Sequence, residues 1–141
     1  MPPSFMSPSY TTGKWVPQLP SVGSAFTSEA WYWRISEVVH IFASLSFTQA
    51  GAGTTFEIRN LPFWTNQTTG PERAYSAPIR FVNLATHVVS LTGEFNGNTI
   101  QVFKHVTPTP AWTPLMFTDL SDTTKLWLSG AYFTDPNEKR D

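Results

Sequence analysis

From Glu37 to Thr48 the chain alternates: Val39, Ile41, Ala43, Leu45 and Phe47 hold the odd positions, and His40, Ser44, Ser46 and Thr48 fall on even ones. A period of two held over a dozen residues is the signature of a β-strand with one face buried and the other mostly polar. Weaker copies of the pattern follow. Phe56 and Ile58 alternate with Thr55, Glu57 and Arg59; Ile79 and Phe81 flank Arg80; Val89, Leu91 and Phe95 mark His87 to Phe95; Ile100 and Val102 share a face. Asn96-Gly97-Asn98 supplies the positive φ of a tight hairpin between the last two. Lys125 to Thr134 is apolar on both phases, through Leu126, Trp127, Leu128, Tyr132 and Phe133, which predicts burial on both sides. No stretch holds a 3.6-residue period with caps, and the twelve prolines fall mainly between the strands, where they break no ladder. The expectation is an all-β chain, an antiparallel jelly-roll-like sandwich.

A chain of 141 residues makes one domain with a core that needs no staples. Cysteine is absent, which excludes disulfides and thiolate metal sites. The net charge of −1 argues against a nucleic-acid footprint, and no apolar run reaches the roughly 18 residues of a membrane span. The N-terminus lacks the basic and apolar regions of a signal peptide. Charged residues make up only 13% of the chain and aromatics 15%. Two readings fit this balance. Neighbouring subunits cover part of the surface, or the surface is a Thr/Ser/Asn-rich β face. Residues 1–12, with Pro2, Pro3 and Pro8, read as an extended arm, since proline fixes φ and removes donors. Phe5, Met6 and Tyr10 are its apolar points: the segment is either a disordered terminus or, as its aromatics favour, an arm that attaches to a neighbour through them, and no strand signal precedes Trp15. Residues 13–134 form the domain, and 135–141 form a charged tail.

Three segments in fixed order add a resemblance. They are Gly13-Lys14-Trp15-Val16-Pro17-Gln18-Leu19, then Trp31-Tyr32-Trp33-Arg34-Ile35 running into Val38-Val39-His40-Ile41, then Ile58-Arg59-Asn60-Leu61-Pro62-Phe63. With the ending Leu128-Ser129-Gly130-Ala131-Tyr132-Phe133, this resembles the terminal β-domain of phage tail fibres, tailspikes and related virion appendage or decoration proteins. The resemblance covers roughly residues 13–134. The chain has Ser36 where that family often has Gly. What the resemblance implies is a homotrimer, structural and adhesive, on the outer surface of a bacteriophage virion and made in the host cytoplasm. Its partners would be copies of itself and other capsid or tail proteins. With Met1 at the start and no shaft ahead of residue 13, the expectation is a stand-alone decoration, cement or short appendage knob. The alternative is the receptor-binding tip of a tail fibre, with a host-surface polysaccharide or protein as partner.

His40, His87 and His105 match no ligand spacing; they read as solvated or strand-end residues, the sharper alternative being an ion site repeated about a threefold axis. The ten carboxylates are scattered, with Glu57 and Glu94 alone in mid-strand on polar faces. A polysaccharide hydrolase, which needs two carboxyls flanking one cleft, ranks third. No catalytic residue, metal site or cofactor is expected. Trp31, Tyr32 and Trp33 are consecutive and cannot all face inward. One expectation is that Trp15, Trp31 and Trp33 seal the end of the sandwich. The other assigns Trp31, Trp33, Trp64, Tyr75, Trp112 and Trp127 to a subunit interface or a sugar platform. The sequon Asn66-Gln67-Thr68 is accidental in a bacterial virus.

Overall fold

The computed structural model describes residues 10–19, 26–48, 55–65, 75–107 and 111–134. Phe5, Met6 and the rest of residues 1–9, the sequon at 66–68 and the tail 135–141 lie outside the described residues. Among the described residues nine antiparallel strands carry the fold: β1 (Tyr10–Lys14), β2 (Phe26–Ile35), β3 (Val38–Phe47), β4 (Glu57–Arg59), β5 (Tyr75–Val82), β6 (Ser90–Asn96), β7 (Thr99–His105), β8 (Trp112–Pro114) and β9 (Lys125–Phe133). The sole helical element among the described residues is one 3-10 turn, Phe117–Asp119, and none is a helix long and apolar enough to cross a membrane.

The strands pair in the order β1-β2-β3-β9-β5-β6-β7-β4, with β8 also on β7. The sheet curls. Strand β5 sits at the bend: Tyr75–Ile79 pair with β6, and Ile79–Val82 pair with β9. Pro78 lies outside the β9 ladder, so its missing N–H costs nothing there. The two far edges then meet. Gln18, just after β1, exchanges both backbone hydrogen bonds with Arg59 of β4, at 3.1 and 2.9 Å, and Asn60 Nδ2 donates to the Val16 carbonyl.

The curl encloses one core. Val39, Ile41, Ala43, Leu45 and Phe47 of β3 point in, as their alternation requires, and meet Ile58, Ile100 and Val102 from the opposite wall. Phe56 is fully buried and packs edge-on against Phe47 and Phe117. Gly130 permits a close approach: a Cβ there would lie 2.9 Å from Ala77 Cβ and 3.2 Å from the Phe95 ring. That space lets Phe95 reach Tyr132, with ring centroids 4.8 Å apart. The buried Tyr132 hydroxyl donates to the Phe63 carbonyl at 2.7 Å, as a buried phenol requires.

Four expectations need correction. The arm does not extend through residue 12, because Tyr10, Thr11 and Thr12 pair with Ile35, Arg34 and Trp33 as the start of β1. This edge strand buries none of its side chains, so it carries no alternation to read. Trp31 and Trp33 do not seal the end of the core; Ala30, Tyr32 and Arg34 take the inward phase of β2, and Trp15 alone of the three is buried. Strand β9 is not buried on both sides: Leu126, Leu128 and Tyr132 are enclosed, whereas Trp127 is half-buried and Phe133 exposed. Val89 does not continue the inward phase of β6. The chain bends before Ser90, so Val88 is buried and Val89 exposed.

Candidate interaction face

Strand pairing puts residues that sit opposite one another on the same side of a sheet, and the registers of β1, β2, β3 and β9 assemble an outer face row by row. One row is Tyr10, Ile35, Val38 and Phe133; the next is Thr12, Trp33, His40 and Ala131; the third is Lys14, Trp31, Phe42 and Ser129. Tyr10, Trp31, Trp33, Ile35, Phe42 and Phe133 are all exposed large apolar side chains. Trp33 stacks on His40, with centroids 4.8 Å apart and planes 9° from parallel. Lys14 Nζ stands 4.7 Å over the Trp31 ring, and farther along Arg80 stands 5.0 Å over Trp127. The cations lie on the π faces that attract them. The result is a contiguous aromatic surface four strands wide with basic groups at its margins.

The other outer face, on β6, β7 and the short strands β4 and β8, has a different chemistry. Its rows are Asn96, Thr99 and Arg59; Glu94, Gln101 and Glu57; Thr92, Phe103 and Pro114; and Ser90, His105 and Trp112.

Of the aromatic candidates, Trp31, Trp33 and Trp127 share the first outer face. Trp112 is exposed on the second, its ring 5.4 Å from His105. Trp64 is exposed beyond the end of β9, where its carbonyl accepts from Thr134 Oγ1 at 2.7 Å. Tyr75 opens β5 opposite Phe95. The six are therefore not one site. Ile35, Phe42 and Phe133 join the face without having been read from sequence. Phe42 did leave a signal, being the large aromatic on the polar phase of the Glu37–Thr48 alternation. His87 is exposed in the loop between β5 and β6. Among the described residues no three His, Asp or Glu side chains come together as a metal site.

One polar cluster escaped sequence reading altogether. Asp119 is 3% exposed and accepts four hydrogen bonds. Oδ1 takes Thr86 Oγ1 at 2.7 Å and Lys104 Nζ at 3.0 Å; Oδ2 takes Lys104 Nζ at 2.9 Å and the Met116 N–H at 2.8 Å. Four bonds fill a carboxylate's capacity. Burial pushes the Asp119 carboxyl up, but the bonds from Lys104, Met116 and Thr86, with the Lys104 charge, outweigh it and hold the carboxyl below its ordinary value. Ala85 N–H also donates to the Asp119 carbonyl. The cluster ties β7, the 83–89 loop and the 3-10 turn together, and a fully satisfied carboxylate is a clasp rather than an acid or base. Its sequence signal was Lys104 itself, on the same phase as Ile100 and Val102.

No protein-family model matches the chain, and no curated protein matches it in sequence.

Proposed function

We propose that this protein is a non-enzymatic structural protein of a bacteriophage virion, a homotrimeric surface knob held on the capsid or tail. The carrying observation is the aromatic outer face of β1, β2, β3 and β9. Monomeric proteins rarely expose contiguous apolar patches of this kind, and those that exist mark interaction sites. Tryptophan and tyrosine are also the side chains that dominate binding energy at interfaces. The occupant proposed here is the same face of neighbouring copies, set around a threefold axis so that Trp31, Trp33 and Phe42 are shared. His40 lies within that face, which makes it the one histidine of the three placed to repeat around such an axis. The motifs running from Gly13 to Phe133 support placement on a virion, and the curl of the sheet around one core supports the jelly-roll-like reading.

Light scattering at micromolar concentration is expected to give a mass near three times 15.8 kDa. A monomer or a dimer at that concentration overturns the trimer. Labelling of purified particles with an antibody to this chain is expected to decorate their outer surface; unlabelled particles overturn the placement.

A further inference from the structure

Strand β7 has no single neighbour along its outer edge. Strand β4 covers Thr99–Gln101 and β8 covers Phe103–His105, and the two diverge at Val102. The backbone at the fork is satisfied, since the Val102 carbonyl accepts from Leu115 N–H at 2.9 Å and the Leu115 carbonyl accepts from Phe56 N–H at 2.7 Å. A pocket of about 200 Å³ opens there, lined by Thr55, Glu57, Gln101, Val102, Phe103 and Pro114.

Its walls differ. Glu57, Gln101 and Thr55 supply a carboxylate, an amide and a hydroxyl; Phe103 and Pro114 supply apolar surface. Arg59 engages Glu57 through Oε1, which leaves Oε2 as an acceptor. No described residue bonds the Gln101 amide, which keeps one acceptor and two donors. Vicinal hydroxyls need paired donors and acceptors of this kind, while the C–H face of a sugar ring packs on an aromatic or proline surface. Glu94 lies opposite Gln101 on β6, so the carboxylates Glu57 and Glu94 outnumber Arg59 around the opening. A negative excess disfavours anionic ligands.

We infer that this fork binds one neutral or amine-bearing sugar residue, with Glu57 and Gln101 holding its hydroxyls and Phe103 its apolar face. The site lies on the opposite outer face from Trp33.

The test is saturation-transfer NMR on the full chain. The probes are neutral hexoses, N-acetylhexosamines, glucosamine, a uronic acid and sialic acid. Transfer is expected to neutral and amino sugars and not to the acids. Glu57→Gln and Gln101→Ala are each expected to weaken binding about tenfold, the scale of one hydrogen bond to a charged or buried group, with unchanged melting temperature. Phe103→Leu is expected to weaken it less, and Trp33→Ser to leave it unchanged. The site is overturned if no neutral or amino sugar binds at roughly 10 mM, if the acids bind better, or if the Glu57→Gln/Gln101→Ala double variant binds like the parent. It is also overturned if Trp33→Ser loses binding while Glu57→Gln keeps it, because the sugar then sits on the aromatic face.

Discussion

The two outer faces of the curled sheet share one core and one pattern of alternation, yet their balance differs: the first is mostly aromatic, and the second is mostly polar around Phe103 and Trp112. On β2, β3 and β9 the outward phase carries Trp31, Trp33, Phe42 and Phe133; on β6, β7 and β4 it carries Thr92, Glu94, Gln101 and Glu57. Both inward phases are mostly apolar and buried, with Arg34 on one wall and Lys104 on the other as charged members. The inward phase therefore accounts for folding, and the outward phase is free to encode what each wall meets. An aromatic wall facing water is a cost that the fold itself does not need, whereas a hydroxyl, amide and carboxylate wall is at ease there.

The largest effect should erase the comparison by removing what the faces share. Phe56 is fully buried between Phe47 and Phe117. Truncating such a ring costs about 3–5 kcal/mol, so Phe56→Ala is expected to lose much of a domain stability that is typically about 5–15 kcal/mol. Denaturant titration checks it; an unchanged midpoint would mean that the core does not close around this ring.

Asp119 tests the polar half alone. Asp119→Ala strands the Lys104 ammonium, which is largely enclosed. Breaking a buried pair costs about 3–5 kcal/mol, and the partial exposure of Lys104 points to the lower end. Acid provides a second reading. The Asp119 carboxyl titrates below its ordinary value in the fold, so its contribution is complete above the unfolded-state value and is lost as pH falls through the lower, folded-state one. Asp119→Asn is expected to flatten that part of the stability–pH curve. A curve with the parent's slope below the ordinary carboxylate range would assign the acid sensitivity to another group.

A matched pair of surface substitutions sharpens the contrast directly. Trp33→Ser on one face and Gln101→Ala on the other are both outward changes, so neither is expected to move chain stability by more than about 0.5 kcal/mol once assembly is accounted for. Their effects on self-association should differ. Losing a central interface tryptophan typically costs about 2 kcal/mol or more, so Trp33→Ser should raise the dissociation midpoint by roughly 30-fold and Gln101→Ala should leave it in place. Equal shifts in sedimentation equilibrium would end the claim that the aromatic face is the assembling one.

The inward phase was the legible part of this fold. The alternations at Val39–Phe47, Phe56–Ile58 and Ile100–Val102 each placed side chains that the core encloses, and Ile79–Phe81 placed Ile79 inside with Phe81 only partly buried against it, because burial imposes a strict period on a strand. Three things left no such trace. Strand β1 buries nothing and is defined by its ladder with β2 alone. The closure of Gln18 on Arg59 is made by backbone atoms that every residue has. The outer aromatic face is a product of register, since Trp31, Phe42 and Phe133 become neighbours only when three strands are aligned. Sequence named Trp31 and Trp33 as interface candidates but could not separate them from Trp64 and Trp112, which the topology puts elsewhere.

The smallest expected effect lies in the two hairpins that end these walls. Strands β2 and β3 join through Ser36-Glu37, and β6 and β7 through Gly97-Asn98. Each turn has a left-handed residue at its first position, Ser36 at φ 54° and Gly97 at φ 62°, the φ sign of a type II′ turn, which favours Gly there. The polar wall uses Gly; the aromatic wall uses Ser, and Arg34 Nε holds the Ser36 carbonyl at 2.7 Å. A side chain in the left-handed region costs roughly 1–2 kcal/mol, and the added freedom of an unfolded Gly returns about 0.5–1. Ser36→Gly is therefore expected to stabilise the chain by up to about 1 kcal/mol, and Gly97→Ser to destabilise it by a similar amount. Paired thermal melts of the two variants check the signs. If Ser36→Gly destabilises, the serine side chain itself supports the turn, and the two hairpins are not equivalent in the way their backbone angles suggest.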